Sequence, residues 1–109
     1  MKLQQIADKL ELEKLTPVFD KEVTGVYISD MVSDVIANAK AGNLLVTVQV
    51  HANALAAANL VDVCGIVVAQ GKKPADDVIK MAVKAEISIF ATALSRWQVA
   101  TKLYEAGLR

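Results

Sequence analysis

One pattern repeats four times along the chain from Val23 onward: a short β-branched run, a polar turn, and then apolar residues at helical spacing. The predicted strands are residues 25–29, 44–50, 64–69 and 87–91, and the predicted helices are residues 31–41, 53–61, 75–85 and 95–106. Strands that alternate with helices of about ten residues pair in parallel through right-handed crossovers, and the helices cover the sheet. The sequence therefore predicts an α/β fold, a Rossmann-like three-layer α/β/α sandwich with a mainly parallel sheet of four to five strands.

The segments that precede this repeat, and the ends of its helices, carry local signals. Residues 1–10 have the spacing of a short amphipathic helix, and residues 12–18 read as an extended segment against the sheet edge because Pro17 cannot lie in a central strand. Asp30 and Ser95 are placed to act as helix N-caps, since a side-chain oxygen there can accept backbone N–H groups of the first turn. Gly42 is expected to end the helix before it.

Composition and charge narrow the classes of partner. The hydrophobic fraction is 54%, mostly aliphatic, which fits strands buried on both faces and also fits burial of surface against a second copy. Twelve basic residues balance twelve acidic ones, so neither nucleic acid nor a membrane is expected as a partner. The single cysteine, Cys64, begins a predicted strand and reads as an inert core thiol. We expect one domain over residues 1–109 and a cytoplasmic location.

The predicted fold places a candidate binding site at one edge of the sheet. In parallel α/β sheets, ligands bind outside the carboxyl ends of the strands, where the following helices begin. The loops at that edge are polar, whereas the loops at the opposite edge are short and plain. The candidate ligand-binding residues are Ser29, Asp30, Gln49, His51, Asn53, Gln70, Gly71, Lys72 and Thr92.

His51 and the Gly71 loop each have two interpretations. His51 either contacts a ligand or partner, or it caps a helix or lies in a subunit interface. Gly71, Lys72 and Lys73 either cradle a phosphate group or form a solvated turn, which is the commoner arrangement. The glycines match neither a dinucleotide-binding nor a P-loop motif, and no second histidine or nearby cysteine accompanies His51 as a metal ligand. We therefore predict no catalytic residues, no metal and no cofactor.

Three segments then make the sequence recognisable: GVYISDMVSDVI at 25–36, TVQVHAN at 47–53 and CGIVVAQGKKP at 64–74. Together they resemble the DRTGG domain family, and in particular its short stand-alone bacterial members, which are named loosely after the serine kinase of the phosphocarrier protein HPr. The family's naming motif places Asp-Arg after the second strand and Thr-Gly-Gly after the third. Here Gln49 and His51 stand in the first region and Gln70–Gly71 in the second, so the motif is altered at both places.

The resemblance implies a regulatory role. Family members occur in some phosphotransacetylases and between the CBS domains of some inorganic pyrophosphatases, where they contribute to dimer formation beside an adenine-nucleotide-binding unit. It thus implies a non-catalytic, homodimeric, ligand-sensing domain that binds a small molecule, such as an adenine nucleotide, or a partner protein at the strand ends. Stand-alone members are commonly encoded near iron hydrogenase and NADH-oxidising subunit genes, which implies the alternative of an adaptor in a redox assembly or signalling operon.

The two helices most suited to a dimer contact are the alanine-rich second helix of the repeat and the last helix. Trp97 and Tyr104 are seven residues apart on the last helix, hence on one face, and are expected to pack in the core or at a subunit interface.

Overall fold

The computed structural model describes residues 1–108 and contains one sheet with helices on both faces. Its strands are β1 (Glu13–Lys14), β2 (Gly25–Ile28), β3 (Asn43–Thr47), β4 (Gly65–Val68) and β5 (Ser88–Ala91). Its helices are α1 (Leu3–Lys9), α2 (Val32–Asn38), α3 (Ala52–Val61), α4 (Asp76–Lys84) and α5 (Arg96–Glu105). The strand order across the sheet is β1-β5-β4-β3-β2.

Strands β2 to β5 are parallel and lie side by side in chain order, and β1 pairs antiparallel with β5. Successive right-handed crossovers that move in one direction along a sheet place their helices on the same face. Accordingly, residues of α2, α3 and α4 pack together against one face of the sheet, and those of α1 and α5 pack against the other. The predicted three-layer α/β fold with a mainly parallel sheet is confirmed.

Each face of the sheet has its own hydrophobic core, since strand side chains point alternately to the two faces. Leu44, Val46 and Phe90 pack with α1 and α5, whereas Leu45 and Ile89 pack with the other three helices. The central strands β3, β4 and β5 are buried on both faces, which explains their continuous apolar runs.

Two elements, helix α2 and strand β3, end three residues before their predicted ends. Helix α2 ends at Asn38, because Ala39 already has extended backbone angles and the side-chain oxygen of Asn43 accepts the N–H of Lys40. Gly42 therefore forms the tight turn into β3, with φ +82°, and does not end the helix directly. Strand β3 stops at Thr47, because the N–H of the next residue turns to a side chain.

The helices of residues 1–108 are all too short and too polar to cross a lipid bilayer.

Candidate functional site

Asp30 joins the ends of β2 and β3 to the start of α5. Its Oδ1 accepts hydrogen bonds from the hydroxyl of Thr47 (3.1 Å) and the N–H of Val48 (2.9 Å), and its Oδ2 pairs with Nη1 of Arg96. The prediction that Asp30 caps α2 is wrong, since the N-cap residue is Met31 and no side chain caps that helix. Two hydrogen bonds and a guanidinium stabilise the carboxylate more than a helix terminus would.

His51 is the N-cap residue of α3. Its Nδ1 accepts the N–H of Asn53 at 3.1 Å, so the helix-capping interpretation is the one that the structure shows. The imidazole is exposed, and its Nε2 is not used in this cap. Gln49 precedes it, also exposed, with its N–H donated to the hydroxyl of Thr47 (3.0 Å).

The loops after β4 and β5 are tied to each other. Gln70 and Gly71 both have positive φ and donate their N–H groups to Leu94 (2.8 Å) and Thr92 (2.9 Å) respectively. The Lys72 side chain is exposed beside them. Two backbone bonds thus close the gap between these two strand ends, while Asp30 closes the gap between β2 and β3.

Four of the predicted site residues line two small clefts beside the loop after β3. Ser29, Asp30 and Gln49 line one cleft, Gln49 and His51 line a second, and each has a volume of about 10 Å³. Such a volume holds one water molecule, whereas small-molecule pockets typically measure about 300–1,000 Å³. Asn53, Gln70, Gly71 and Lys72 line neither of these two clefts.

A wider cleft of about 520 Å³ lies at the end of β5, where α1, β1 and α5 meet. Of the predicted residues, only Thr92 lines it. The Thr92 hydroxyl accepts the N–H of Leu94 at 3.2 Å, which shapes the loop into α5.

A polar cluster lies beneath Ser29 at the start of α2. The carboxylate of Asp34 accepts hydrogen bonds from the Ser29 hydroxyl, the Asn38 amide (2.7 Å) and the Tyr27 hydroxyl (2.8 Å), and these lower the pKa of Asp34. The same hydrogen bond to Asp34 raises the pKa of Tyr27. The cluster links β2 to α2.

Cys64 is buried and precedes β4, and burial raises the pKa of its thiol to about 12. A thiol that stays protonated is neither a nucleophile nor a metal ligand at neutral pH. Within residues 1–108, no three histidine, cysteine or acidic side chains lie close enough together to hold a metal ion.

An apolar surface lies on α5 and the adjoining edge strand β2. Trp97 is 76% exposed and Tyr104 is 59% exposed, so of their two predicted placements, the core and a subunit interface, the core is wrong. Open grooves of about 410 and 420 Å³ flank Tyr104, and the second is also lined by Val26 and Ile28 of β2. We call Ile28, Trp97 and Tyr104 the α5–β2 surface.

Several residues at the strand ends were missed by the sequence-based prediction. Arg96 and Thr47 bind Asp30, and Lys9, Glu11 and Lys102 line the wide cleft. Only Thr47 carried a signal, because it begins the segment that ends at His51 and Asn53. The others meet through contacts between residues far apart in the chain, which no local pattern records.

Comparison with known proteins agrees with this architecture. The family model described as the DRTGG domain matches residues 5–106. The chain belongs to the DRTGG domain family. The predicted resemblance is thus confirmed. No protein with a curated description matches the sequence.

A solved structure has the same fold as this DRTGG domain. It is the crystal structure of the CBS and DRTGG domains of the regulatory region of Clostridium perfringens pyrophosphatase, complexed with its activator, diadenosine tetraphosphate. The TM-score is 0.73 over 93% of this chain, at 17% sequence identity. This chain spans 45% of the length of that chain, so the likeness concerns the fold of one part of it.

Proposed function

We propose that this DRTGG domain is a non-catalytic regulatory module, which senses a small ligand of the adenine-nucleotide class and acts as a homodimer. The observation that carries the proposal is the family match over residues 5–106, because the similar pyrophosphatase domains belong to a regulatory region that binds a nucleotide activator. The polar ends of the parallel strands supply the site, as open α/β sheets generally do.

The ligand half of the proposal is tested by calorimetry and thermal unfolding with AMP, ADP, ATP and diadenosine tetraphosphate. A ligand at about 100 times its Kd stabilises the folded state by about 2.7 kcal/mol, which raises the Tm of a domain of this size by roughly 10 °C. We expect such a shift with at least one of the four, and no turnover of the nucleotide. The absence of both heat and a Tm shift with all four would refute nucleotide sensing.

The role of the strand-end residues is tested with Gln49→Ala, because this exposed side chain borders both small clefts and makes no hydrogen bond in the described chain. The matched control is Asn59→Ala on the exposed side of α3. We expect weaker nucleotide binding for the first variant only. Equal binding by both variants would place the nucleotide elsewhere.

The α5–β2 surface is the proposed dimer contact. Strand β1 at one sheet edge has two residues, both charged. Strand β2 at the other edge has four uncharged residues, and its outer side pairs with no strand within residues 1–108. Edge strands that stay solitary are usually short or charged, so β2 is the edge suited to pairing. The alternative contact, α3, has already buried Ala54, Ala57 and Ala58 within its own protomer.

Light scattering at micromolar concentration tests the dimer. We expect a dimer for the native chain and a monomer for Trp97→Ser, since loss of a central aromatic residue costs about 2 kcal/mol in each protomer and weakens association about a thousandfold. Leu60→Ser is the matched control, because Leu60 is 72% exposed on the opposite face of the sheet. A native monomer, or dissociation caused by Leu60→Ser alone, would refute this contact.

A native monomer would direct attention to the adaptor alternative, in which the α5–β2 surface docks on another protein.

A further inference from the structure

After β2, the helices that follow the strands change from one face of the sheet to the other only once. Helices α2, α3 and α4 cover one face, and α5, which follows β5, covers the other. In open α/β sheets, the crevice that binds a ligand forms at the carboxyl ends of two neighbouring strands whose following helices lie on opposite faces of the sheet. Helices α4 and α5 follow the neighbouring strands β4 and β5, so that rule favours the ends of these two strands over the β3 loop, where the neighbouring helices lie on the same face.

The gap between β4 and β5 is closed by the backbone bonds from Gln70 and Gly71, and the wide cleft lies next to it, at the end of β5 between α5, α1 and β1. Its volume of about 520 Å³ falls within the range of small-molecule sites, about 300–1,000 Å³. Leu10 and Leu94 supply apolar wall, and Thr92 and Ala93 supply the polar backbone of the loop into α5. The loop is braced by the two backbone bonds from Gln70 and Gly71, so the wall is held in place without a ligand.

The cleft also holds charged groups without partners. Within residues 1–108, the ammonium groups of Lys9 and Lys102 have no carboxylate at ion-pair distance, and Glu11 makes no side-chain hydrogen bond. The carboxylate of Glu13, in contrast, is paired with Lys73 at 2.9 Å. The unpaired charges therefore sum to one positive charge, and the two lysines come from two different helices that line the same cleft.

We propose that this cleft binds a small-molecule anion through Lys9 and Lys102, with the apolar part of the ligand against Leu10 and Leu94. Two ammonium groups favour a phosphoryl or dicarboxylate group, because both present several acceptor oxygens. The inference goes beyond the proposed sensing function, because it assigns a further anion site that is distinct from the loop after β3. The cleft wall runs directly into α5, which carries the proposed dimer surface.

The test is a titration of the ¹⁵N-labelled chain with inorganic pyrophosphate and, separately, with succinate, followed by amide chemical shifts. We expect shifts at residues 9–11 and 92–94, with pyrophosphate and succinate distinguishing a phosphoryl from a carboxylate ligand. Lys9→Gln and Lys102→Gln should each weaken binding about fivefold, which corresponds to one ion pair near a protein surface. Lys84→Gln, on α4, is the charge-matched control and should bind as the native chain does.

The outcomes separate this inference from the proposed function. No shift with either anion at millimolar concentration, or an equal loss in Lys84→Gln, would overturn the anion cleft. Nucleotide shifts at residues 29–30 and 49–53, together with no shift from pyrophosphate or succinate, would overturn the cleft while leaving nucleotide sensing intact. Pyrophosphate binding in the cleft together with no binding of any nucleotide would support the cleft and refute nucleotide sensing. Dispersed amide spectra of each variant would show that it is folded.

Discussion

Asp34 shows how a single side chain links a strand to the helix that follows it. Its carboxylate is held in the charged form by the Ser29 hydroxyl, the Asn38 amide and the Tyr27 hydroxyl, so its pKa is lower in the folded chain than in the unfolded chain. A carboxylate of this kind stabilises the fold above its unfolded pKa, which is about 3.9, and that stabilisation is lost as the pH falls through the folded value.

Asp34→Asn should therefore destabilise the fold at pH 7 by an amount that shrinks as the pH falls below about 4. Urea unfolding of both proteins at neutral and acid pH measures the gap between their unfolding free energies. Asp62→Asn is the control, because Asp62 is exposed and its left-handed backbone conformation also suits asparagine. A gap for Asp34→Asn that stays constant with pH would contradict the role given to this carboxylate.

Residue-level predictions from sequence succeeded where the interaction is local. Ser95 caps α5, with its hydroxyl accepting the N–H of Gln98 at 3.1 Å, because the capping partner is three residues away. His51 also makes a local cap, which was one of its two interpretations. Asp30 was assigned wrongly because its strongest partner, Arg96, lies 66 residues along the chain. No local pattern could distinguish that ion pair from a cap.

At the scale of elements, α3 depends on its small side chains. Ala57 and Ala58 are at most 3% exposed and pack with residues of α2 and α4 against the sheet. A larger residue there would force neighbouring side chains from their preferred rotamers, whereas the exposed Ala56 has room.

Ala58→Leu should lower the unfolding free energy by about 1–3 kcal/mol through overpacking. Ala56→Leu is the matched control, with the same change in volume on the same helix, and should alter the free energy by less than about 0.5 kcal/mol. Urea unfolding measures both values. Similar effects of the two substitutions would contradict the close packing of α3.

The existence of the helices and strands could be predicted from the periodicity of the sequence, whereas the residues at which they end could not. The apolar spacing predicted all five helices and the four parallel strands, and Pro17 correctly indicated that the segment before it lies at a sheet edge. The predicted second strand, residues 44–50, continued past Thr47 because Val48 and Val50 extend its β-branched pattern. It ends early because Asp30 takes the N–H of Val48, a tertiary contact that overrides strand propensity.

At the scale of the whole molecule, the layers could be predicted from the repeat, but the positions of the clefts required the strand order. Polar loops mark every strand end alike, and so the candidate site was centred on His51. The strand order, together with the packing of α4 and α5 on opposite faces, shows that the chain crosses to the other face after β5, beside the wide cleft. The strand order likewise shows that Gly25–Ile28 is an edge strand, a position that the repeat alone does not specify.

The exposed edge leads to a prediction for hydrogen exchange across the sheet. Amides of β3 and β4 have hydrogen-bonded strands on both sides, so they should exchange slowest, near the limit set by global unfolding. If copies associate through the α5–β2 surface, exchange at Gly25–Ile28 should slow as protein concentration rises, while the other edge, Glu13–Lys14, should not change. Ile28→Lys, which places a charge on the open edge, should abolish this concentration dependence. Exchange at β2 that is independent of concentration would show that its edge stays open, and any dimer would then have to form through α5 alone.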